Sequence, residues 1–248
     1  VDRLGEVIAQ RLDIALLTAH APRAALDLNR AENDIDWEMI EGPRLARPPA
    51  GQVPLAASNH RSRSGLGLIP RRLPGHGEVW RARLPRRELE RRIAEIHQPY
   101  HRALEQELRR IRDIWGAALL IDLHSMPPLP SHDGDLPAPV LVLGDRFGAS
   151  CHHSLMSGGL DHLAGAGLRA AQNRPYSGGY VLDRHGAPHG GVHAVQVEIC
   201  RSLYLDEEFA ELTPRAGDVA IRLAGLVQEL GRQTAALGQA RLMLEAAE

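Results

Sequence analysis

Hydrophobic residues along the chain follow two periods, one typical of helices and one typical of strands. Apolar positions spaced three and four apart predict helices near residues 1–12, 87–115 and 149–164, and one helix or two over 214–246. Pro99 lies inside the second of these stretches. Because proline has no backbone N–H to donate, we expect it to kink or split that helix.

Short apolar runs predict strands between and around the helices. In chain order these runs cover residues 13–20, 24–30, 118–124, 139–145, 168–180 and 192–204. The run over 168–180 passes into a glycine-rich loop. Residues 41–85, rich in proline, glycine and arginine, are expected to form an excursion from the core.

The alternation of helical and extended patterns predicts an α/β fold. The runs show little apolar–polar alternation, which is typical of a sheet covered by helices on both faces. No repeat or linker divides the sequence, so we predict a single domain over residues 1–248. In sheets of this kind ligands bind beyond the carboxyl ends of the strands, and polar residues there are candidates for function.

Composition narrows the possible partners. The chain is 44% hydrophobic and 24% charged, with a net charge of −2, which gives no indication of a nucleic-acid or membrane partner. All of its basic residues other than histidine are arginines, which excludes Schiff-base chemistry and a lysine phosphate loop. Cys151 and Cys200 lie far apart, which favours a reducing compartment and a cytoplasmic protein.

The segment "IDLHSMPP" places a carboxylate and an imidazole at the end of a predicted strand. Asp122 and His124 are two residues apart and therefore share one face of that strand. A carboxylate beside a histidine fixes its tautomer and raises its basicity, as for many metal-bound histidines. The alternative is a capping aspartate and a histidine that bonds to the backbone.

The segment "HAVQVEICR" places Glu198 inside an otherwise apolar strand. Ala194, Gln196 and Glu198 form one face of this strand. A buried carboxylate without a partner is costly, so it is expected to be ion-paired or to work as a general base. A pair with Arg201 or Arg30 is the structural alternative.

Two further segments carry candidate ligand-binding groups. In "NRPYSGGY" the glycines allow close backbone approach, and Asn173, Arg174 and Tyr176 could donate to an anionic substrate, although a plain tight turn explains the segment equally well. In "ALDLNR" Asn29 and Arg30 stand at the end of a predicted strand. A forked guanidinium suits a carboxylate.

Several histidine spacings resemble metal motifs but are predicted to be structural or surface features. His97 and His101 are four apart, yet Pro99 lies between them and the glutamate of the helical metalloprotease signature is absent. His185, His189 and His193 lie in a segment too rich in glycine and proline to form a helix. The adjacent pair His152 and His153 is expected to diverge.

Taken together, six ordered blocks of the sequence resemble one family, the N-formylglutamate amidohydrolases. The blocks are "ALDLNR", "PYHRALEQEL", "LLIDLHSMPP", "LVLGDRFGASC", "NRPYSGGY" and "GVHAVQVEICRSLYLDE". This family is similar to the zinc carboxypeptidases and succinylglutamate desuccinylases. The resemblance implies a three-layer αβα fold around a mixed sheet and the hydrolysis of an N-formyl or similar amide of an amino acid.

The resemblance also implies roles for particular residues. His124 would be a zinc ligand supported by Asp122, and Glu198 would be the general base. The implied substrate-binding residues are Asn29, Arg30, Asn173, Arg174 and Tyr176. The remaining zinc ligands of the family, a histidine and an acidic residue, are expected upstream of Val1.

The partner implied is a small-molecule N-acyl amino acid, with formate as a product; the oligomeric state stays open. Hydrolysis of a different N-acyl amino acid or small peptide is one alternative. A non-catalytic relative that binds an amino-acid-like ligand is another.

Overall fold

The structure is a computed structural model that describes residues 1–42, 64–73, 77–131 and 137–246. Its contacts divide the chain into two compact units. The larger unit contains Val1–Thr18 and Glu105–Glu248, and the smaller contains Ala19–Leu104. The single domain predicted over residues 1–248 stays a prediction.

The regular elements follow in chain order. The helices are α1 Asp2–Leu12, α2 Arg86–Arg92, α3 Gln98–Trp115, α4 His153–Gly165, α5 Tyr180–His185 and α6 Arg215–Glu245. The strands are β1 Arg72–Leu73, β2 Gly77–Glu78, β3 Ala118–Met126, β4 Leu141–Gly144, β5 Ala170–Gln172 and β6 Val192–Cys200. Among the described residues, no helix is both long and apolar enough to cross a membrane.

The larger unit contains a four-stranded mixed sheet in the order β3-β6-β4-β5. Strands β3 and β6 are parallel, β4 is antiparallel to β6, and β5 is parallel to β4. One face of the sheet packs on α1, α4 and α6. Helix α5 packs against β6, outside that apolar cluster. The predicted α/β class with a mixed sheet flanked by helices is confirmed.

The main core lies between the sheet and the three helices on its first face. From β6 it takes Val195, Val197 and Ile199, each at most 1% exposed. Side chains alternate between the faces of a strand, so the even-numbered residues of β6 point to the second face. This places Gln196 and Glu198 away from the hydrocarbon core.

One close approach fixes the position of α6. A Cβ on Gly238 would lie 2.1 Å from the carbonyl oxygen of Trp115 and 2.9 Å from the amide nitrogen of Ala117. Only glycine therefore fits where α6 crosses the turn that leads into β3.

The smaller unit has its own apolar cluster. Its buried members are Leu26, Met39, Ile40, Leu68, Ile69, Leu84 and Leu89. Strands β1 and β2 pair antiparallel in this unit. The excursion predicted over 41–85 lies partly outside the described residues, which omit 43–63 and 74–76.

The predictions of strands over 13–20 and 24–30 were wrong. Asp13 caps α1 in the left-handed conformation, and the residues after it are irregular, with the side chains of Leu16 and Leu17 exposed. Residues 24–30 form turns. There the Asp27 carboxylate accepts from the amide of Asn29 at 3.0 Å, a local bond that competes with strand pairing.

The long helix predicted over 87–115 is interrupted, as expected. A π-helical turn, Ile93–His97, separates α2 from α3. The amide of Gln98 bonds to the carbonyl of Ile93, five residues back. Pro99 has no amide N–H for the usual hydrogen bond to the carbonyl four residues back. The π-helical turn therefore lies next to the proline.

Candidate functional site

A polar tetrad lies on the second face of the sheet, where β3 and β6 run side by side. It consists of Asp122, His124, Gln196 and Glu198. In the register of the parallel pair, Asp122 lies opposite Gln196 and His124 lies opposite Glu198. Neighbouring strands are about 4.8 Å apart, so the imidazole and the carboxyl group stand close together on one face.

Each strand contributes one hydrogen-bonded pair to the tetrad. His124 Nε2 lies 2.9 Å from Asp122 Oδ2, and Gln196 Nε2 donates to Glu198 Oε1 at 3.0 Å. The side chains of His124 and Asp122 are 18% and 14% exposed, and Glu198 is 9% exposed. The tetrad is thus sheltered but can be reached by solvent or a small ligand.

The contact with Asp122 defines the tautomer of His124. A carboxylate oxygen can only accept, so Nε2 carries a proton and the lone pair of the neutral ring lies on Nδ1. This is the arrangement of a metal-binding histidine whose second nitrogen is held by a carboxylate.

The described residues do not complete a zinc site on their own. They contain no cluster of three or more His, Cys, Asp or Glu side chains placed to hold a metal ion. A catalytic zinc takes three protein ligands, and His124 would be one of them. The chemistry of the His124–Asp122 pair fits such an ion, and the expectation that further ligands precede Val1 stays an expectation.

Tyr176 lies near the tetrad, as its predicted role requires. It packs against the small apolar cluster of Met126, Val142 and Cys200. Burial raises the pKa of the Tyr176 phenol, and the negative charge of Glu198 raises it further. The phenol is therefore neutral at physiological pH and can donate a hydrogen bond beside Glu198.

Asn173 has a structural task in the described contacts. Its Nδ2 donates to Asp145 Oδ1 at 2.6 Å, and its Oδ1 accepts from the Asp145 amide at 3.0 Å. Both ends of the side-chain amide thus tie the end of β5 to the end of β4. Arg174, the next residue, is exposed. The proposed substrate contacts of both residues stay predictions.

The glycine loop predicted after this segment approaches the sheet closely. A Cβ on Gly144 would lie 2.7 Å from the carbonyl carbon of Ser177 and 2.9 Å from the amide nitrogen of Gly178. Gly144 pairs with Gln196, so the loop runs over the face that carries the tetrad. The expectation of close backbone approach is confirmed, with β4 as the neighbour.

Asn29 and Arg30 belong to the smaller unit. Arg30 Nε donates to the carbonyl of Leu66 at 2.8 Å, and its Nη1 donates to the carbonyl of Asn29 at 2.9 Å. The Arg30 guanidinium also lies 3.8 Å from Asp27 and 4.0 Å from Asp34. These contacts order the segment that contains Arg30. The role of Arg30 toward a substrate stays a prediction.

Near the tetrad, Gln196 was missed in the sequence, and His185 was predicted there to be a structural or surface feature. Gln196 was placed on the face of Glu198 but given no role, although alternation alone brings it within reach. Burial and the charge of Arg184 lower the pKa of His185 to about 4, against opposing effects of the Glu105 and Asp122 carboxylates. His185 is therefore a neutral imidazole near Asp122; its place on the short helix α5 gave no periodic signal.

Known proteins resemble this chain over nearly its whole length. A family model described as N-formylglutamate amidohydrolase matches residues 1–205. An N-formylglutamate deformylase of Pseudomonas aeruginosa is 31% identical over 235 residues, which cover 94% of this chain and 79% of that protein. One of Pseudomonas putida is 31% identical over 80% of this chain and 67% of its own length. The crystal structure of an N-formylglutamate amidohydrolase from Ralstonia eutropha aligns with a TM-score of 0.79 at 30% identity, covering 97% of this chain and 82% of that one.

Proposed function

Because the chain belongs to the N-formylglutamate amidohydrolase family, we propose that it hydrolyses the formyl amide of N-formyl-L-glutamate to formate and L-glutamate. One observation carries the proposal: His124 and Glu198 face each other in the register of β3 and β6. Metal-assisted amide hydrolysis requires a general base beside a metal ligand, and the pairing of Glu198 with His124 supports such a site.

In the proposed reaction Glu198 is the general base. It takes a proton from the water that attacks the formyl carbon, and the carbon–nitrogen bond then breaks. The same carboxyl group passes the proton to the departing amine of glutamate, and the attacking oxygen remains in formate. The bond from Gln196 orients the Glu198 carboxylate for both transfers.

We also propose a zinc ion at this site, held by His124 together with ligands outside the described residues. When bound, it would polarise the formyl carbonyl and make water more acidic. Asp122 would hold the His124 ring in place through Nε2, and Tyr176 would donate a hydrogen bond from its neutral phenol.

Substrate recognition is proposed for the donors of two segments. Arg174 and Asn173 stand in the loop that leads to Tyr176, and Arg30 and Asn29 stand in the smaller unit. Arg30 Nε and Nη1 donate to the carbonyls of Leu66 and Asn29, which holds the guanidinium in its segment. Arg30 is proposed to recognise the side-chain carboxylate of the substrate.

The test is a formate-release assay on the purified protein. N-formyl-L-glutamate is compared with N-acetyl-L-glutamate and N-formyl-L-leucine, each with and without a metal chelator. We expect release of formate from N-formyl-L-glutamate well above that from N-formyl-L-leucine, and its loss with chelator. No release from any N-formyl substrate would contradict the proposed hydrolysis. Equal rates on both N-formyl substrates would exclude recognition of the acidic side chain.

We propose that the reaction takes place in the cytoplasm. Cys151 and Cys200 support this location, since both are free and buried. Burial raises the pKa of the Cys151 thiol to about 12, so it stays protonated and unreactive.

A further inference from the structure

We propose that His97 and His101 are positioning residues: they hold the segment that carries Asn29 and Arg30 and thereby set the affinity for the acidic substrate. This inference depends on the proposed function for its effect on affinity. It was not expected from the sequence, where both histidines were predicted to be structural or surface features.

The two imidazoles reach the same stretch of backbone. His97 Nε2 lies 2.8 Å from the carbonyl oxygen of Arg30, and His101 Nε2 lies 3.1 Å from that of Leu28. A carbonyl oxygen only accepts, so both nitrogens donate. The rings are in contact, with their centroids 4.4 Å apart. We call this pair of bonds the carbonyl clamp.

The carbonyl clamp completes an unusual pattern of backbone bonding. The carbonyl of Asn29, between the two clamped ones, accepts from Arg30 Nη1 at 2.9 Å. Three consecutive carbonyl groups thus accept hydrogen bonds from side chains. In a strand, such carbonyl groups would instead accept hydrogen bonds from the backbone of a neighbouring strand. Because this segment forms turns, its shape depends on these side chains.

A spacing of four residues brings both histidines to one face of the helix. The π-helical turn ends at His97 and α3 begins at the next residue, so His97 and His101 lie one helical turn apart. Both are fully buried, at 0% exposure. A buried imidazole costs more free energy than a buried leucine unless it is hydrogen-bonded, which indicates that these positions serve the backbone they bind.

Glu32 extends the carbonyl clamp toward the surface. Its Oε1 lies 3.5 Å from His97 Nδ1, and its Oε2 accepts from Gln98 Nε2 at 3.3 Å. The Glu32 side chain is 38% exposed, so it can be replaced with little effect on the core.

The test compares His97→Leu, which fills the space without donating, with His97→Gln, whose amide can still donate to the Arg30 carbonyl. Arg30→Ala serves as the benchmark for loss of carboxylate recognition. For His97→Leu we expect KM for N-formyl-L-glutamate to rise about tenfold, the loss of one good hydrogen bond to the substrate. We expect kcat to change less than twofold and KM for N-formyl-L-leucine to stay unchanged. His97→Gln should restore most of the affinity.

An unchanged KM in folded His97→Leu overturns the proposal. An equal rise in KM for N-formyl-L-glutamate and N-formyl-L-leucine also overturns it. A His97→Gln variant as impaired as His97→Leu also overturns it. If His97→Leu does not fold, Glu32→Ala replaces it, with an expected rise in KM of about threefold. An unchanged KM in Glu32→Ala counts against the proposal in the same way.

Hydrogen exchange measured by mass spectrometry separates this proposal from the proposed function. In His97→Leu, or in Glu32→Ala if that replaces it, we expect faster exchange in the peptide over 24–31 and unchanged exchange in the peptide over 192–200. This readout needs no activity. If the wild-type protein releases no formate, the proposed function fails, and unchanged exchange over 24–31 is then the result that overturns the carbonyl clamp.

Discussion

At the scale of residues, the tetrad combines two hydrogen-bonded pairs along strands with two pairs of opposite residues on neighbouring strands. Alternation along a strand predicted that Asp122 and His124 share a face, and that Gln196 and Glu198 do. It could not predict that the two pairs meet, because one sequence does not say which strands are neighbours. The parallel register of β3 and β6 supplies that information.

Glu198 offers the sharpest test of the proposed chemistry. Glu198→Gln keeps the shape and the contact with Gln196 but cannot accept a proton. We expect kcat for formate release to fall by a factor of about 10²–10⁴, the usual contribution of a general base. Glu208→Gln, at an exposed position, is the matched control and should keep wild-type kcat. Near-normal turnover in Glu198→Gln would refute the assignment of the base.

His124 tests the proposed metal. In His124→Ala we expect the zinc content per chain to fall well below that of the wild type, because the imidazole is the zinc ligand proposed among the described residues. The measurement is elemental analysis of the purified protein. His153→Ala removes an exposed histidine and should leave the zinc content unchanged. Equal zinc in His124→Ala and wild type would exclude His124 as a ligand.

At the scale of elements, the strands predicted over 118–124, 139–145 and 192–204 were found, whereas those over 13–20 and 24–30 were not, although the runs are of similar length. Strands β3 and β6 were evident because apolar residues predominate in both. The segments at 13–20 and 24–30 looked similar, yet one follows a left-handed helix cap and the other folds on the carboxylate of Asp27. Local side-chain bonds of this kind leave little periodic signal.

The crossing of α6 over the turn before β3 gives a prediction about stability. Gly238→Ala places a methyl group 2.1 Å from the Trp115 carbonyl oxygen, so the helix or the turn must shift. We expect the free energy of unfolding to fall by about 1–3 kcal/mol. Gly231→Ala in the same helix meets no atom within 4 Å and should stabilise by about 0.5–1 kcal/mol. Urea denaturation measures both, and equal effects would contradict the proposed contact.

At the scale of the whole molecule, the described chain contains two compact units, and helix α3 contains residues of both. The tetrad lies in the larger unit, and Asn29 and Arg30 lie in the smaller one. The sequence gives no sign of this division, because neither a linker nor a change of composition marks it. The single domain predicted over residues 1–248 stays a prediction.

A continuous helix shared by two units should couple their unfolding. We therefore expect one cooperative transition in differential scanning calorimetry, with equal calorimetric and van't Hoff enthalpies. Two resolved transitions would contradict the prediction of a single domain. Glu32→Ala, at a partly exposed position of the smaller unit, is a useful comparison: it should shift the single transition rather than split it.

The parallel pairing of β3 with β6 also bears on how the protein acquires activity. His124 and Glu198 are remote in the chain, and β4, α4, β5 and α5 all intervene between them. Under the proposed mechanism, a polypeptide that has formed its helices but not this pairing lacks hydrolytic activity. Catalysis then requires the long-range pairing of these two strands.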